Sequence, residues 1–222
     1  MLAAACRCAC LQRAPCWSLR PISGAVSSSI PLCRRMASTT VAMTAATTSM
    51  ETRAGVTPRR AVLYVPGSDE RKLAKLSGLT VDCAVLDCED GVAANRKDVA
   101  RQTIRKSLGV LPLPHVGDVA VRINAVDSGL AEEDLAEVLQ AEVLPDTLML
   151  PKVESAKHLE WLAAQLTAHF AAKPPAKPLK LVIFVESAMG LLRLADICEA
   201  GQRLSETAPF TLEGVVFGSD DF

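Results

Sequence analysis

The sequence has few aromatic residues, no long apolar segment and no paired arrangement of cysteines. Phe, Trp and Tyr make up 4% of the 222 residues, which leaves few side chains on which single-stranded nucleic acid could stack. No apolar run approaches the roughly 18 residues that indicate a membrane-spanning helix. Five of the eight Cys precede residue 34, and Cys83, Cys88 and Cys198 are too scattered for a disulfide framework. We therefore expect neither a nucleic-acid partner nor a membrane partner.

Charge is divided unevenly along the chain. Residues 1–58 contain six Arg, no Lys and a single acid, Glu51, whereas residues 59–222 contain 18 basic and 24 acidic side chains. Arg dispersed among Ala, Ser and Leu is typical of a mitochondrial transit peptide, and Arg interrupts every apolar run that a secretory signal would need. We therefore expect residues 1–58 to be a transit peptide and disordered leader that directs the protein to the mitochondrial matrix. Residues 59–222 suffice for a sizeable core.

Short apolar runs alternate with amphipathic segments after residue 58. The runs are rich in Val, Leu and Ile and predict buried strands over Ala61–Pro66, Cys83–Cys88, Val119–Asn124, Thr147–Val153, Leu179–Ser187 and Gly214–Asp221. Apolar residues at helical spacing predict five helices over Asp69–Leu76, Asp98–Leu108, Ala131–Leu144, Ser155–Ala172 and Ala188–Ser205. This repetition predicts a parallel sheet with right-handed crossovers.

Two α/β architectures satisfy this alternation, an open doubly wound sheet and a TIM (β/α)8 barrel. The turn after the first strand is not a Gly-x-Gly-x-x-Gly sequence, and no Walker sequence occurs. Polar residues instead follow most strands, and a barrel gathers all such strand ends on one face, where its chemistry takes place. We therefore favour the barrel and expect residues 59–222 to form it. It is incomplete, because six strands and five helices fall short of the eight of each in a full barrel of about 250 residues.

Two acids at strand ends are candidate metal ligands. Glu186 ends one predicted strand and Asp221 ends the next, and adjacent parallel strands lie about 4.8 Å apart. An all-oxygen pair suits Mg²⁺, which takes one or two carboxylates and leaves its other positions to water and substrate. The alternative is that both acids cap the helices that follow, and Asp220 is a rival to Asp221.

Two cations also occur at strand ends. Arg122 lies within a buried strand and needs an anionic partner, which is either a substrate carboxylate bound by the guanidinium fork or Glu89 or Asp90 at the end of the neighbouring strand. Lys152 could form a Schiff base with a carbonyl substrate. The nearby acids favour an ordinary ion-paired Lys152 instead.

Arg71 and Lys75 follow the first strand at a spacing that places them on one helical face. With the helix N-terminus at Ser68–Asp69 they could bind phosphate groups. Pairs of this kind are also common on solvated helix surfaces, so the alternative is that they have no ligand.

Six motifs occur in order between Pro58 and Phe222: Arg-Ala-Val-Leu-Tyr-Val-Pro-Gly, Val-Leu-Asp-Cys-Glu-Asp-Gly-Val, Val-Arg-Ile-Asn, Leu-Met-Leu-Pro-Lys-Val-Glu-Ser, Phe-Val-Glu-Ser-Ala-Met-Gly-Leu-Leu and Val-Val-Phe-Gly-Ser-Asp-Asp-Phe. Together they closely resemble the citrate lyase β-subunit-like family of the HpcH/HpaI aldolase superfamily, its animal mitochondrial members above all. The resemblance implies a Mg²⁺-dependent TIM barrel that acts on acyl-CoA and 2-oxo acids. It places the metal ligands at Glu186 and Asp221, with Glu89, Asp90 and Lys152 as possible supporting residues, and substrate contacts at Tyr64, Arg71, Lys75 and Arg122.

The same resemblance implies a reaction and an assembly. The expected reaction is cleavage of citramalyl-CoA to acetyl-CoA and pyruvate by a homotrimer, with malate synthase and malyl-CoA thioesterase side activities. The family's catalytic Asp comes late in the chain from a neighbouring subunit, and none of the motifs above supplies it. We therefore expect residues 1–222 to be a C-terminally truncated form of the enzyme. A non-catalytic isoform that binds acyl-CoA or a full-length partner is the alternative.

Overall fold

Seven strands form one sheet in the computed structural model, which describes residues 5–6, 57–110 and 113–222. The strands are β1 (Ala5–Cys6), β2 (Val62–Pro66), β3 (Val81–Asp87), β4 (Val116–Arg122), β5 (Thr147–Leu150), β6 (Leu179–Val185) and β7 (Phe210–Phe217). Strands β2 to β7 run parallel and pair in chain order, whereas β1 pairs antiparallel with β7. The six predicted parallel strands are therefore confirmed. Most of the predicted leader lies outside the described residues.

Within the part of the chain that the structure describes, six α-helices follow β2: α1 (Glu70–Lys75), α2 (Lys97–Leu108), α3 (Ala131–Val138), α4 (Ala156–His169), α5 (Ala188–Leu192) and α6 (Leu194–Leu204). Short 3-10 helices cover Leu76–Gly78, Ala94–Arg96, Val126–Ser128 and Ser219–Asp221. No helix among these has both the length and the hydropathy to cross a membrane.

Three elements depart most from their predicted boundaries. Helix α3 ends at Val138 rather than Leu144. Pro145 disfavours a helical conformation at Leu144, and the chain turns to bring the Asp146 N–H to the Val119 carbonyl at 2.9 Å. The predicted fifth helix breaks at Arg193, whose ψ of 8° is not helical. Strand β7 begins at Phe210 and ends at Phe217 rather than spanning Gly214–Asp221, and the residues that follow it form a 3-10 turn.

The helices pack on one face of the sheet. The large core combines outward-facing strand residues with residues from five helices, among them Ile104, Leu135, Leu162 and Ile197. The opposite, inner face holds a smaller apolar cluster of strand residues alone: Cys83, Val85, Ala120, Met149, Val182 and Phe184. A doubly wound sheet would carry helices on both faces, so this is the wall of a barrel, open between its two edge strands, β1 and β2. The prediction of an incomplete barrel is confirmed.

An ionic network closes the amino end of the inner face. Arg59 donates hydrogen bonds to Asp118 at 2.7 Å, to Thr147 at 3.0 Å and to Glu213 at 2.9 Å. Lys180 adds a contact of 3.3 Å to the fully buried Asp118 carboxylate. Since these buried charges are paired and hydrogen-bonded, they avoid the penalty of an isolated buried ion. The network does not reach the opposite, carboxyl end of the inner face, where a functional site can form.

Candidate functional site

The parallel register gathers polar side chains at the carboxyl end of the inner face. Asp87 lies opposite Arg122 in the β3–β4 register, and Glu186 directly follows β6. We define the strand-end cluster as Tyr64, Asp87, Glu89, Asp90, Arg122, Lys152, Glu186 and Asp221. It holds five carboxylates against two cations. This surplus of negative charge favours a bound cation.

Arg122 is held in a fixed orientation by two acids. Its Nε and Nη2 each donate to one carboxylate oxygen of Asp87 at 2.7 Å, a bidentate pair. Its Nη1 lies 2.7 Å from Glu89 Oε2, although the pair lacks hydrogen-bond alignment. The Tyr64 ring lies against the guanidinium, 5.1 Å from Cζ, and burial raises the pKa of Tyr64 to about 12. Asp87 therefore fixes the plane of Arg122, with Glu89 as its second partner, while Asp90 forms no ion pair with it among the described residues.

Lys152 connects the acids on opposite sides of the strand-end cluster. Its Nζ lies 3.0 Å from Glu89, 3.5 Å from Asp90 and 3.2 Å from Asp221. Burial opposes its charge, but the hydrogen bond to Glu89 and the nearby carboxylates hold the pKa of Lys152 above its ordinary value. A protonated amine is not a nucleophile, so the geometry favours the ion-paired interpretation over a Schiff base.

The main chain of Lys152 also contacts the site. It adopts a φ of 52°, the one left-handed non-glycine conformation among the described residues, at a cost of about 1–2 kcal/mol. The Lys152 N–H donates to Glu186 Oε2 at 2.9 Å. One residue therefore contacts both candidate metal ligands, Glu186 through its main chain and Asp221 through its side chain.

Glu186 is buried in a tight setting. Burial raises its pKa, and the neighbouring Glu89 and Asp221 carboxylates raise it further against the opposing hydrogen bond from Lys152. A bound cation would relieve this repulsion. The absence of a side chain at Gly218 leaves room for the Glu186 side chain, since an added Cβ at Gly218 would lie 2.6 Å from Glu186 Cγ.

The donor chemistry of this site fits Mg²⁺. Glu186 and Asp221 are oxygen donors in a region of surplus negative charge, as Mg²⁺ requires. No set of three or more His, Cys, Asp or Glu side chains within residues 57–110 and 113–222 is arranged as a metal site. The pair would therefore leave the remaining positions of an ion to water and substrate, and the assignment of both ligands stays a prediction.

Three other predicted residues lie apart from these contacts. Arg71 and Lys75 are exposed on α1, and their side chains form no hydrogen bond or ion pair with another described residue. They remain available for a ligand, and the phosphate contact stays a prediction. Asp220 is likewise exposed and unconnected within the described part of the chain, whereas Asp221 is tied to Lys152.

The sequence prediction missed two supporting residues. Asp87 was recognisable only as a strand-end acid, although alternation along β3 and β4 puts it on the same face as Arg122. Lys97 gave no signal, because it lies at the start of a helix; its Nζ donates to the carbonyls of Cys88 and Glu89 at 2.7 and 2.8 Å.

Replacing Gly218 with alanine tests how tightly Glu186 is packed. The new methyl group would collide with the Glu186 side chain, and overpacking of this kind costs about 1–3 kcal/mol. Gly78→Ala is the matched control, because an added Cβ there meets no atom within 4 Å. Urea denaturation should show a lower midpoint for Gly218→Ala alone; equal midpoints would contradict the packing argument.

Comparison with known proteins shows the family of the chain. Residues 60–222 match the family described as HpcH/HpaI aldolase/citrate lyase. The chain is 51% identical to human mitochondrial citramalyl-CoA lyase over 74% of its own length and 48% of that protein. It is 35% identical to a (3S)-malyl-CoA thioesterase of Cereibacter sphaeroides, over 74% of this chain and 50% of that one.

A solved structure shares the fold. The CitE protein of Mycobacterium tuberculosis, in complex with magnesium, acetoacetate and coenzyme A, superposes with a TM-score of 0.51 at 30% identity, covering 72% of this chain and 49% of that one. The chain thus spans about half the length of the curated relatives it matches. It belongs to the HpcH/HpaI aldolase/citrate lyase family.

Proposed function

We propose that the chain carries the Mg²⁺-binding and 2-oxo-acid-binding part of a citramalyl-CoA lyase, which cleaves citramalyl-CoA to acetyl-CoA and pyruvate. The observation that carries the proposal is the strand-end cluster, in which a fixed Arg122 lies in the same network as the Glu186 and Asp221 carboxylates. The human relative is named for this activity. Malyl-CoA thioester hydrolysis and malate synthase condensation are proposed side activities, and a thioesterase is among the more distant relatives.

The residues of the cluster have distinct roles in this proposal. Glu186 and Asp221 would hold Mg²⁺, which when bound supplies Lewis-acid polarisation of the 2-oxo acid. Arg122 uses Nε and one proton on Nη2 toward Asp87, which leaves three of its five N–H groups without a hydrogen bond to the described residues and available to a substrate carboxylate. The positive charges of Arg122 and Lys152 stabilise the negative charge that develops on the pyruvate oxygen and on the acetyl-CoA enolate.

Binding of the CoA portion is assigned to the exposed face of α1. Arg71 and Lys75 lie there without protein partners among the described residues, as residues that bind phosphate groups would. The base that takes the hydroxyl proton is assigned to none of the described residues, in keeping with a family Asp supplied late in the chain by a neighbouring subunit of a homotrimer. The leader composition and the mitochondrial relatives support the mitochondrial matrix as the location.

The test separates binding from turnover. Citramalyl-CoA and Mg²⁺ are added to the 222-residue protein and, in parallel, to a form as long as the relatives, and acetyl-CoA and pyruvate are quantified by mass spectrometry. We expect the longer form to cleave citramalyl-CoA and EDTA to abolish this turnover. We expect both forms to bind pyruvate in a Mg²⁺-dependent manner. Turnover by the 222-residue protein at the rate of the longer form would show that residues 1–222 suffice, and failure of both binding and turnover in both forms would refute the proposal.

The alternative function is a non-catalytic isoform that binds acyl-CoA or a full-length partner. Its support is the exposure of apolar side chains at the carboxyl end of β7, where the rings of Phe217 and Phe222, 46% and 53% exposed, lie 4.9 Å apart, since such residues mark interaction surfaces when they cluster. Acyl-CoA binding without turnover by the longer form would favour this alternative.

A further inference from the structure

The ammonium group of Lys97 lies behind the loop that carries Glu89 and Asp90. Its Nζ donates to the Cys88 carbonyl at 2.7 Å, to the Glu89 carbonyl at 2.8 Å and to Asn124 Oδ1 at 2.7 Å. These three bonds use all the protons of the group. Lys97 forms no ion pair with a carboxylate in the part of the chain that the structure describes.

This placement is unfavourable for the helix that Lys97 begins. A cation at the first residue of α2 opposes the helix dipole, which favours acids at that end. Breaches of a local rule tend to occur where function requires them. Lys97 therefore stabilises the loop that contains Cys88 and Glu89 and not its own helix.

A buried network fixes the groups to which Lys97 donates. Asn124 Nδ2 donates to the Cys88 carbonyl at 3.1 Å and to Asp134 at 2.6 Å. Asp134 is fully buried and also accepts from Arg101 Nε at 2.7 Å. Asn124 therefore cannot turn away from Lys97 without losing bonds to two other elements.

The loop in turn fixes Glu89. The Glu89 N–H donates to Asp87 Oδ1 at 2.9 Å, and its carbonyl accepts from the Val92 N–H at 2.9 Å as well as from Lys97. Its side chain is 5% exposed and reaches both Arg122 and Lys152. Glu89 therefore positions Lys152 directly and Arg122 jointly with Asp87, and both depend on the main chain that Lys97 holds.

We propose that Lys97 is a positioning residue of the 2-oxo-acid site: it fixes the Cys88–Glu89 main chain so that Glu89 keeps Arg122 and Lys152 in the orientation that binds the substrate carboxylate. The inference rests on the proposed function for its substrate class. The contacts themselves do not depend on that function.

The test compares Lys97→Ala with Lys106→Ala, an exposed lysine on the same helix whose side chain contacts no described residue by hydrogen bond or ion pair. The first readout is the dissociation constant of pyruvate at saturating Mg²⁺, measured by calorimetry. Lys97→Ala should weaken binding about tenfold or more, as loss of a supporting hydrogen-bond partner does, and Lys106→Ala should not. The second readout is the Arg122 Nε–H resonance in ¹H–¹⁵N spectra, which should shift or broaden in Lys97→Ala alone.

Rescue distinguishes positioning from general stability. Methylammonium can occupy the space left in Lys97→Ala and restore pyruvate affinity, whereas tetramethylammonium, which has no N–H, should not. Lys97→Arg should fail as well, because a planar guanidinium cannot aim three bonds at converging oxygens. If Lys97→Ala does not fold, Lys97→Gln, which keeps part of the side chain and two donors, takes its place in both readouts.

Wild-type affinity and an unchanged Arg122 resonance in the folded Lys97 variant would overturn the inference. If wild-type protein binds no pyruvate, the proposed function fails, and the resonance alone decides: displacement in Lys97→Ala but not in Lys106→Ala keeps Lys97 as the residue that positions Arg122. An unmoved resonance would then refute that role too.

Discussion

Replacing Arg122 with methionine is expected to destabilise the protein by about 3–5 kcal/mol and to abolish pyruvate binding. Removal of one partner from a buried ion pair leaves the other charge uncompensated, which accounts for a loss of this size. Asp87 would lose two hydrogen bonds of 2.7 Å while its side chain is only 2% exposed, and among the described residues Glu89 would keep only Lys152 as a cationic partner. Urea denaturation gives the free energy of unfolding, and calorimetry gives the affinity.

Arg60→Met is the matched control for this change. Arg60 also contacts one acid, Asp82, through Nε and Nη2, but its side chain is 74% exposed. Exposed pairs of this kind contribute about 1 kcal/mol or less. Arg122→Lys should fall between the two, because an ammonium keeps the charge but cannot span Asp87 and Glu89. Equal losses for Arg60→Met and Arg122→Met would contradict the argument from burial.

Replacing Glu186 with glutamine is expected to remove Mg²⁺-dependent stabilisation while the metal-free protein folds as before. The folded-state pKa of Glu186 lies above the unfolded-state value, chiefly through burial. Its ionisation at pH 7 therefore costs folding free energy, and the neutral amide avoids that cost while still accepting the Lys152 N–H. In the wild type, Mg²⁺ at a hundred times its dissociation constant should add about 2.7 kcal/mol.

Glu160→Gln serves as the control, because Glu160 is exposed on α4 and its side chain makes no hydrogen bond or ion pair among the described residues. It should retain the full rise in melting temperature when Mg²⁺ is added. Asp221→Asn should lose part or all of that rise. A Mg²⁺-induced shift of wild-type size in Glu186→Gln would exclude Glu186 as a ligand.

The amount that could be predicted from sequence depended on the range of the interactions. Strands such as Leu179–Val185 were readable because burial on both faces leaves a continuous apolar run. The end of α3 was not, because the turn that brings Asp146 to Val119 is a contact between distant segments. Periodicity of a single helix contains no information about such contacts.

The same distinction holds within the site. Glu186 and Arg122 stood out because a charge in an apolar strand is conspicuous. The bidentate pairing of Arg122 with Asp87 depends on the register of two strands. The sequence prediction named Glu89 and Asp90, and not Asp87, as the acids that could pair with Arg122. Lys97 could not be recognised at all, since two of its three partners are main-chain carbonyls, which every residue has, and the third, Asn124, lies 27 residues away.

The smaller apolar cluster of the inner face separates two groups of charged residues, and mutations in the two groups should have different effects. The network of Arg59 and Asp118 lies on one side of it and the strand-end cluster on the other, with residues such as Ala120 and Val182 between them. Sites that share no partners have additive energies, so mutations at the amino end should change thermal stability while the metal and substrate affinities stay constant. Substitutions at the amino end of the inner face should therefore raise or lower thermal stability without altering the chemistry at the carboxyl end.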